Sequence, residues 1–172
     1  MSVTLTQVKK ALKIDYTTDD SELLRLIDAV TAWVESYTGV TITPKKKTMY
    51  IGYWTKTMFK DFPYSSIDSV VYTASNNTST TMPSTDYFID KTNPPRYFIN
   101  FTEYPSIKEN TFIEINYTVG YPDMPKDIEQ AIISFVGAWY NNPEALSPIS
   151  MQTVPISAQF ILDTLKVRSP IE

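Results

Sequence analysis

Apolar residues occupy every second position between Ile113 and Val119, which is the spacing of a β-strand with one buried face. Residues 67–73 form another candidate strand, and two shorter alternations of the same kind involve Met49, Ile51 and Tyr53, and Tyr97, Ile99 and Phe101. No helix of about 10–15 residues, as a parallel crossover requires, is predicted between these runs. We therefore predict that residues 44–121 form an antiparallel β-sheet.

The two ends of the chain show helical spacing instead. Thr4-x-x-Gln7 and Asp19-x-x-Glu22 match capping boxes, and Gly39 has the character of a residue that ends a helix. Two apolar stripes follow a helical period: Leu23, Ile27, Val30 and Val34, and Ile128, Ala131, Ile132, Phe135 and Trp139. Together with the strands they predict an α+β fold, a small helical bundle packed with an antiparallel β-sheet and followed by a C-terminal helix or tail.

The predicted organisation is a body at residues 1–156 and a C-terminal segment at residues 157–172. In the body, helices fall within 4–39 and 124–142, and strands fall within 44–121. The second helical range is started by Pro125 and stopped at Asn142-Pro143. The C-terminal segment has Phe160, Ile161 and Leu165 on its predicted apolar side. A helix this short is marginal in water without a partner, so we expect the segment to contribute little to the fold itself.

Residues 75–85 are rich in Ser, Thr and Asn, with Met82 as the one large apolar side chain. This composition is typical of an exposed loop, and it buries too little apolar surface to offset the entropy of ordering. We predict a mobile loop here.

The chain of 172 residues contains no His and no Cys. This composition excludes a typical zinc site, a Ser-His-Asp triad and a Cys-His dyad, so it disfavours an enzyme, although carboxylate chemistry remains possible. No glycine-rich phosphate loop occurs, and no cofactor is predicted. The acidic cluster Asp15, Asp19, Asp20 and Glu22 could hold a hard cation, but helix capping and the helix dipole account for it more simply.

The only run of bases is Lys45-Lys46-Lys47. It is short for a nucleic-acid patch, so we interpret it as a solvated face that protects a strand edge from aggregation. The net charge of −4 also argues against tight, sequence-independent binding of DNA. Trp33, Trp139 and Phe135 lie on helical stripes, where burial in a core explains aromatic residues best.

The N-terminal residues lack the apolar core and cleavage site of a signal peptide. The most apolar stretch, residues 131–139, is far shorter than the roughly 20 residues of a membrane span. We therefore expect a cytoplasmic product that does not enter a membrane.

Two stretches carry a family resemblance. The first runs from Thr4 to Asp15, then through an acidic turn to a helix with Ile27-Asp-Ala and Val34-Glu-Ser-Tyr-Thr-Gly39; the second joins Ile115-Asn-Tyr-Thr-Val-Gly-Tyr121, Pro125 and a helix closing in Trp139-Tyr140. In this order they resemble the phage head–tail connector (adaptor) family, small proteins that form a ring beneath the portal of long-tailed phages. The chain departs from the family at Asn142-Pro143, where an Arg is common, and in its longer 75–85 loop.

This resemblance implies a structural protein of the virion neck, with no catalytic residues and no cofactor. It implies a closed ring of about twelve copies between the portal and a tail-side stopper or completion protein, with the genome DNA passing through the bore without sequence-specific binding. The C-terminal segment would dock on the portal through Phe160, Ile161, Leu165, Lys166 and Arg168.

Two alternatives stay open at this point. One is another neck or tail-completion protein, and the other is a carboxylate-dependent enzyme or a carbohydrate-binding module built on a Tyr-rich sheet. Aromatic residues on core stripes favour a structural protein, whereas an exposed row of Tyr beside paired carboxylates would favour sugar chemistry.

Overall fold

The computed structural model describes residues 3–94, 96–142 and 156–166 and confirms the α+β class, with helices at both ends of the chain and antiparallel strands between them. The chain divides into two compact units, a helical unit (Met1–Ile42 with Tyr121–Glu172) and a sheet unit (Thr43–Gly120). The helices are α1 (Leu5–Leu12), α2 (Asp20–Thr38), α3 (Lys126–Asn141) and α4 (Ile156–Leu165). The strands are β1 (Lys45–Ile51), β2 (Thr57–Met58), β3 (Tyr64–Thr73), β4 (Ser79–Thr81), β5 (Tyr87–Asn93), β6 (Arg96–Phe101) and β7 (Ile113–Val119).

The predicted start of α1 and end of α2 are confirmed. The Gln7 backbone N–H donates to Thr4 Oγ1 at 3.3 Å and the Thr4 N–H donates to Gln7 Oε1 at 2.8 Å, which together make a capping box. Gly39 ends α2 in the left-handed region at φ 72°, and its N–H donates to the Glu35 carbonyl at 3.0 Å. Glycine adopts this conformation without the penalty that a Cβ imposes.

The predicted second capping box is wrong. Asp19 does occupy the N-cap of α2, but its side chain caps no backbone N–H. It accepts instead a hydrogen bond from the Tyr140 hydroxyl of α3, while Glu22 pairs with Arg25 at 2.6 Å. The Asp19 carboxylate, which the local spacing assigned to the start of α2, thus binds a hydroxyl of a helix that is distant in sequence.

Aromatic rings hold α2 and α3 together at the centre of the helical unit. Trp33 lies 4.9 Å from Phe135 and 6.3 Å from Trp139, measured between ring centroids, and it stacks on Tyr37 at 5.3 Å. Such pairs add about 0.5–1.5 kcal/mol each beyond the burial of their area. Trp33, Phe135 and Trp139 are therefore part of the core or packed against it, as the sequence predicts.

In the sheet unit, β7 lies between β1 and β3 in a four-stranded antiparallel sheet of order β1-β7-β3-β4. Its alternate residues are buried, which is the pattern that the sequence showed. A three-stranded sheet of order β2-β6-β5 completes the unit, and Ile99 and Phe101 of β6 share one apolar core with Ile113 and Ile115 of β7.

The predicted strands are confirmed as β1, β3, β6 and β7, although Tyr53 lies beyond the end of β1. The prediction of a loop at residues 75–85 is wrong at Ser79–Thr81, which form β4 against β3, and the predicted exposure holds for Ser79 and Thr81 but is wrong for Met82, which is buried in the core. The Met82 N–H donates to the Val70 carbonyl at 2.8 Å. One buried thioether and a short ladder thus tie part of this segment to the sheet, and the mobility of the remaining residues stays a prediction.

The turn after β7 depends on Gly120. Its φ is +101°, and a Cβ at this position would lie 2.8 Å from the Thr43 carbonyl oxygen and 2.9 Å from the Pro44 backbone. We predict that Gly120→Ala lowers the free energy of unfolding by about 2–3 kcal/mol, because the substitution adds both backbone strain and a clash with main-chain atoms. Urea denaturation of the full chain measures this loss.

Gly52→Ala is the matched control, because a Cβ at Gly52 meets nothing within 4 Å. We expect this variant to stay within about 0.5 kcal/mol of the original chain. Equal effects of the two substitutions would show that the positive φ of Gly120 has no special energetic role.

Candidate assembly surfaces

α4 rests on the helical unit through two residues one turn apart. Ala158 and Leu162 are 2% and 0% exposed and belong to the apolar core that α2 and α3 line. Ile161 and Leu165 are partly buried and pack against the same core. The expectation that the segment contributes little to the fold does not hold for α4, because this helix closes part of that core.

The outer side of α4 presents an aromatic residue to solvent. Phe160 is 70% exposed, so the predicted apolar side is wrong at Phe160, whereas Ile161 and Leu165 do pack against the core. Residues 160 and 161 are about 100° apart on a helix, and the core has selected the face that carries Ala158 and Leu162. Phe160 therefore lies outside the core-facing stripe.

A polar contact fixes α4 against α2. The Tyr37 hydroxyl donates to Asp163 Oδ1 at 2.5 Å, and this hydrogen bond to the carboxylate raises the pKa of Tyr37. Lys166 Nζ lies 4.5 Å from the centroid of the same tyrosine ring. Arg168, the last predicted docking residue, lies outside the described residues.

The run Lys45-Lys46-Lys47 opens β1, an edge strand of the four-stranded sheet. Lys46 Nζ lies 3.6 Å from Asp68, and Lys47 pairs with Asp61. Asp61 also accepts a hydrogen bond of 2.7 Å from the Tyr117 hydroxyl, and burial together with this carboxylate raises the pKa of Tyr117. The position on a strand edge agrees with the interpretation of the lysines as edge residues.

An open concavity of about 510 Å³ lies beyond the opposite edge strand, β4. It is lined by Tyr72, Met82, Pro83, Asp86, Glu103, Tyr104 and Pro105. The Tyr104 hydroxyl donates to its own chain at the Phe101 carbonyl, 2.9 Å away, and Asp86 accepts the Thr85 hydroxyl at 2.7 Å. This acidic, tyrosine-lined hollow had no signal in the sequence, because its residues come from four separate stretches.

The acidic residues around the start of α2 do not gather at one point. Asp20 pairs with Lys9 at 2.6 Å, while Asp19 and Glu22 have the separate partners described above. Within residues 3–94, 96–142 and 156–166, no three carboxylates lie close enough to share a metal ion. In the same ranges, no helix has the length and apolar character needed to cross a bilayer.

A family model described as head completion protein matches residues 2–157. The chain belongs to the head completion protein family. This match confirms the family resemblance predicted from the order of the helices and the Gly-Tyr-ended strand. Among curated proteins, none matches the chain.

Solved structures of particle necks share the fold. One chain in the neck of an empty gene transfer agent particle, computed with C6 symmetry, is 16% identical, with a TM-score of 0.73 and coverage of 97% of this chain and 91% of that chain. A chain in the neck of the native particle, computed with C12 symmetry, is also 16% identical, with a TM-score of 0.65 and coverage of 98% and 93%. At this identity the likeness establishes the fold alone.

Side-chain truncation on the two faces of α4 is expected to affect stability differently. Leu162→Ala leaves a cavity in the helical core, so we expect it to lower the free energy of global unfolding by about 2–5 kcal/mol. If α4 unfolds locally at a lower cost, the loss is limited to the free energy of that local unfolding. Hydrogen exchange of the α4 amides, together with urea denaturation, separates these two results.

Phe160→Ala is the control on the same helix, because it removes a side chain that is already in solvent. We expect a change below about 0.5 kcal/mol and unchanged exchange of the α4 amides. A destabilisation by Phe160→Ala as large as that by Leu162→Ala would contradict the assignment of the two faces.

Proposed function

We propose that the chain is a structural subunit of the virion neck, made in the host cytoplasm and assembled as an adaptor ring between the portal and the tail-side neck proteins. Membership of the head completion protein family over residues 2–157 is the observation that carries this proposal. The shared fold with chains of particle necks supports it. In this role the genome passes through the bore of the ring, and the net charge of −4 keeps phosphates from adhering.

The proposed ring contains about twelve copies. The symmetries of the neck reconstructions with the same fold, C6 and C12, support this number. A contact in which one surface binds a different surface of the next copy gives a ring of this kind when the rotation between copies closes.

We further propose that the chain is not an enzyme. The tyrosines and carboxylates of the concavity beyond β4 are the feature that would favour a sugar-binding or hydrolytic alternative. Its Tyr104 hydroxyl and Asp86 carboxylate, however, already have partners within their own chain. The family membership and the absence of His and Cys from the sequence support assembly as the function.

The portal contact is assigned to the outer side of α4. Phe160 is the most exposed phenylalanine of this unit, and it lies on a helix that Ala158 and Leu162 hold in place. Burying such a side chain contributes about 1.5–3 kcal/mol to an interface. Ile161, Leu165, Lys166 and Arg168 are proposed as the surrounding contact residues.

A charge at Phe160 tests this contact. We predict that Phe160→Glu leaves the melting temperature nearly unchanged but weakens portal binding by at least about tenfold, because the apolar contact is lost and a carboxylate is desolvated. Phe88→Glu, which alters another exposed phenylalanine in the sheet unit, is the matched control and should bind like the original chain. Full binding by Phe160→Glu would refute the assignment.

Native mass spectrometry of the chain mixed with the portal of its own particle tests the ring. The proposal expects one dominant complex with about twelve copies of this chain per portal ring. Binding of single copies without a closed ring, or no binding at all, would overturn the proposed function.

A further inference from the structure

The four-stranded sheet has two edges with unpaired backbone groups. β1 pairs only with β7 and β4 only with β3 among the strands of the described ranges. An edge of this kind is a template on which another strand can continue the sheet. Because β1 and β4 are opposite edges of one sheet, each copy carries two different surfaces of this type.

Hydrogen bonds of neighbouring turns show which residues of β4 face outward. The Met82 N–H donates to the Val70 carbonyl and the Ala74 N–H to the Thr78 carbonyl, each at 2.8 Å. In β3 and β4, the even-numbered residues therefore hydrogen-bond to the other strand of the ladder, since antiparallel bonding alternates along a strand. The backbone groups of Ser79 and Thr81 consequently point away from the sheet.

The same reasoning applies at the other edge. The Gly120 N–H donates to the Pro63 carbonyl at 2.8 Å, so even-numbered positions of the β7 strand face β3 and odd-numbered positions face β1. Their β1 partners are also odd-numbered, as in Lys47 with Tyr117 and Met49 with Ile115. The outward backbone groups of β1 thus belong to Lys46, Thr48 and Tyr50.

These two sets of residues fit each other. Tyr50 pairs with Glu114, Glu114 with Val71, and Val71 with Thr81 across the sheet. Paired residues have their side chains on the same face, so the residues whose backbone groups point outward at both edges share one face of the sheet. The strands alternate in direction from β1 to β4. A β4 from another copy placed beside β1 in the same orientation would therefore be antiparallel and in phase.

The two edges differ in charge, because β1 begins with lysines and β4 consists of Ser and Thr. The Lys46 side chain is 86% exposed on the β1 edge. The chain after β4 leads through Met82 and Pro83 into the concavity that contains Asp86 and Glu103. When Lys46 lies opposite Thr81 and Thr48 opposite Ser79, the lysine side chain is on the face of Thr81, whereas Tyr72 and Met82 of the concavity belong to the other face, so Lys46 contributes to the contact through its backbone.

We propose that neighbouring copies in the ring are joined edge to edge, with β1 of one copy paired to β4 of the next. This inference rests on the proposed ring function and names the surface that forms it. The contact is heterologous, which is the type that closes rings. Because β4 has only three residues, the contact is smaller than a stable interface of about 1,200 Å², and the ring depends on the portal for its assembly.

Disulfide trapping tests the contact in a chain that has no cysteine of its own. The double variant Thr48→Cys with Ser79→Cys places the two thiols on opposite edges and offset along the strands, more than three strand spacings or about 14 Å apart within one copy, so an internal bridge cannot form. Across the proposed contact the two Cα atoms are about 5.5 Å apart, within disulfide range. Oxidation of the portal-bound complex should give a ladder of covalent oligomers.

Thr48→Cys with Thr92→Cys is the matched control, since β5 is one of the two edge strands of the three-stranded sheet. It should give no ladder, and neither should the single variants. A ladder from the β5 control, or a dimer from Thr48→Cys alone, would overturn the proposal in favour of another edge pairing.

Native mass spectrometry of the original chain separates the two levels of failure. A ring of the original chain that gives no ladder in the Thr48, Ser79 double variant contradicts the edge contact and leaves the proposed function standing. This outcome would also favour the interpretation that the lysines of β1 only protect its edge. The absence of any ring contradicts both.

Discussion

Hydrogen bonding on both sides of β7 is the constraint on which the sheet unit depends. β7 pairs with β1 along seven residues and with β3 through a register interrupted by two irregularities. Its inner side chains are almost completely buried, and each apolar side chain of this kind stabilises the fold by about 1.5–3 kcal/mol. Because β7 takes the central place, β1 and β4 become the edges, and the edges are where one copy can recognise another.

The helical unit solves a different problem. Trp33 packs on the rings of α3 against the helical core, and α4 adds Ala158 and Leu162 to this core. A short helix gains order from such packing, since its own hydrogen bonds are insufficient in water. The same packing leaves Phe160 outside the core, so this central residue of the proposed portal contact can be changed separately from Ala158 and Leu162, which hold the helix in place.

Strong periodicity made much of the fold predictable. The alternation from Ile113 to Val119 identified a strand that proves central, and the apolar stripe around Phe135 identified a long helix. In these elements one face is buried along the whole length, so apolar residues recur at every second position of the strand and at every turn of the helix. β4 could not be predicted, since its Ser and Thr residues are held by backbone pairing with β3 and not by apolar side chains. The partner of Asp19 was hidden for a similar reason: Tyr140 is 121 residues away in sequence.

The candidate surfaces were harder to predict from the sequence than the fold was. Phe160, Ile161 and Leu162 are consecutive, and composition alone does not decide which of them the core selects. The outward residues of β1 and β4 follow only from the phase of hydrogen bonds in the surrounding ladders. The family match identifies the class of protein without naming these residues.

The most direct test of the account is an electron cryomicroscopy reconstruction of the assembled neck at a resolution that separates β-strands. The account predicts a closed ring of this chain against the portal, with continuous sheet density from β1 of each copy to β4 of the next and Phe160 buried at the portal. A neck without this chain, or a ring in which both sheet edges stay exposed to solvent, would contradict it.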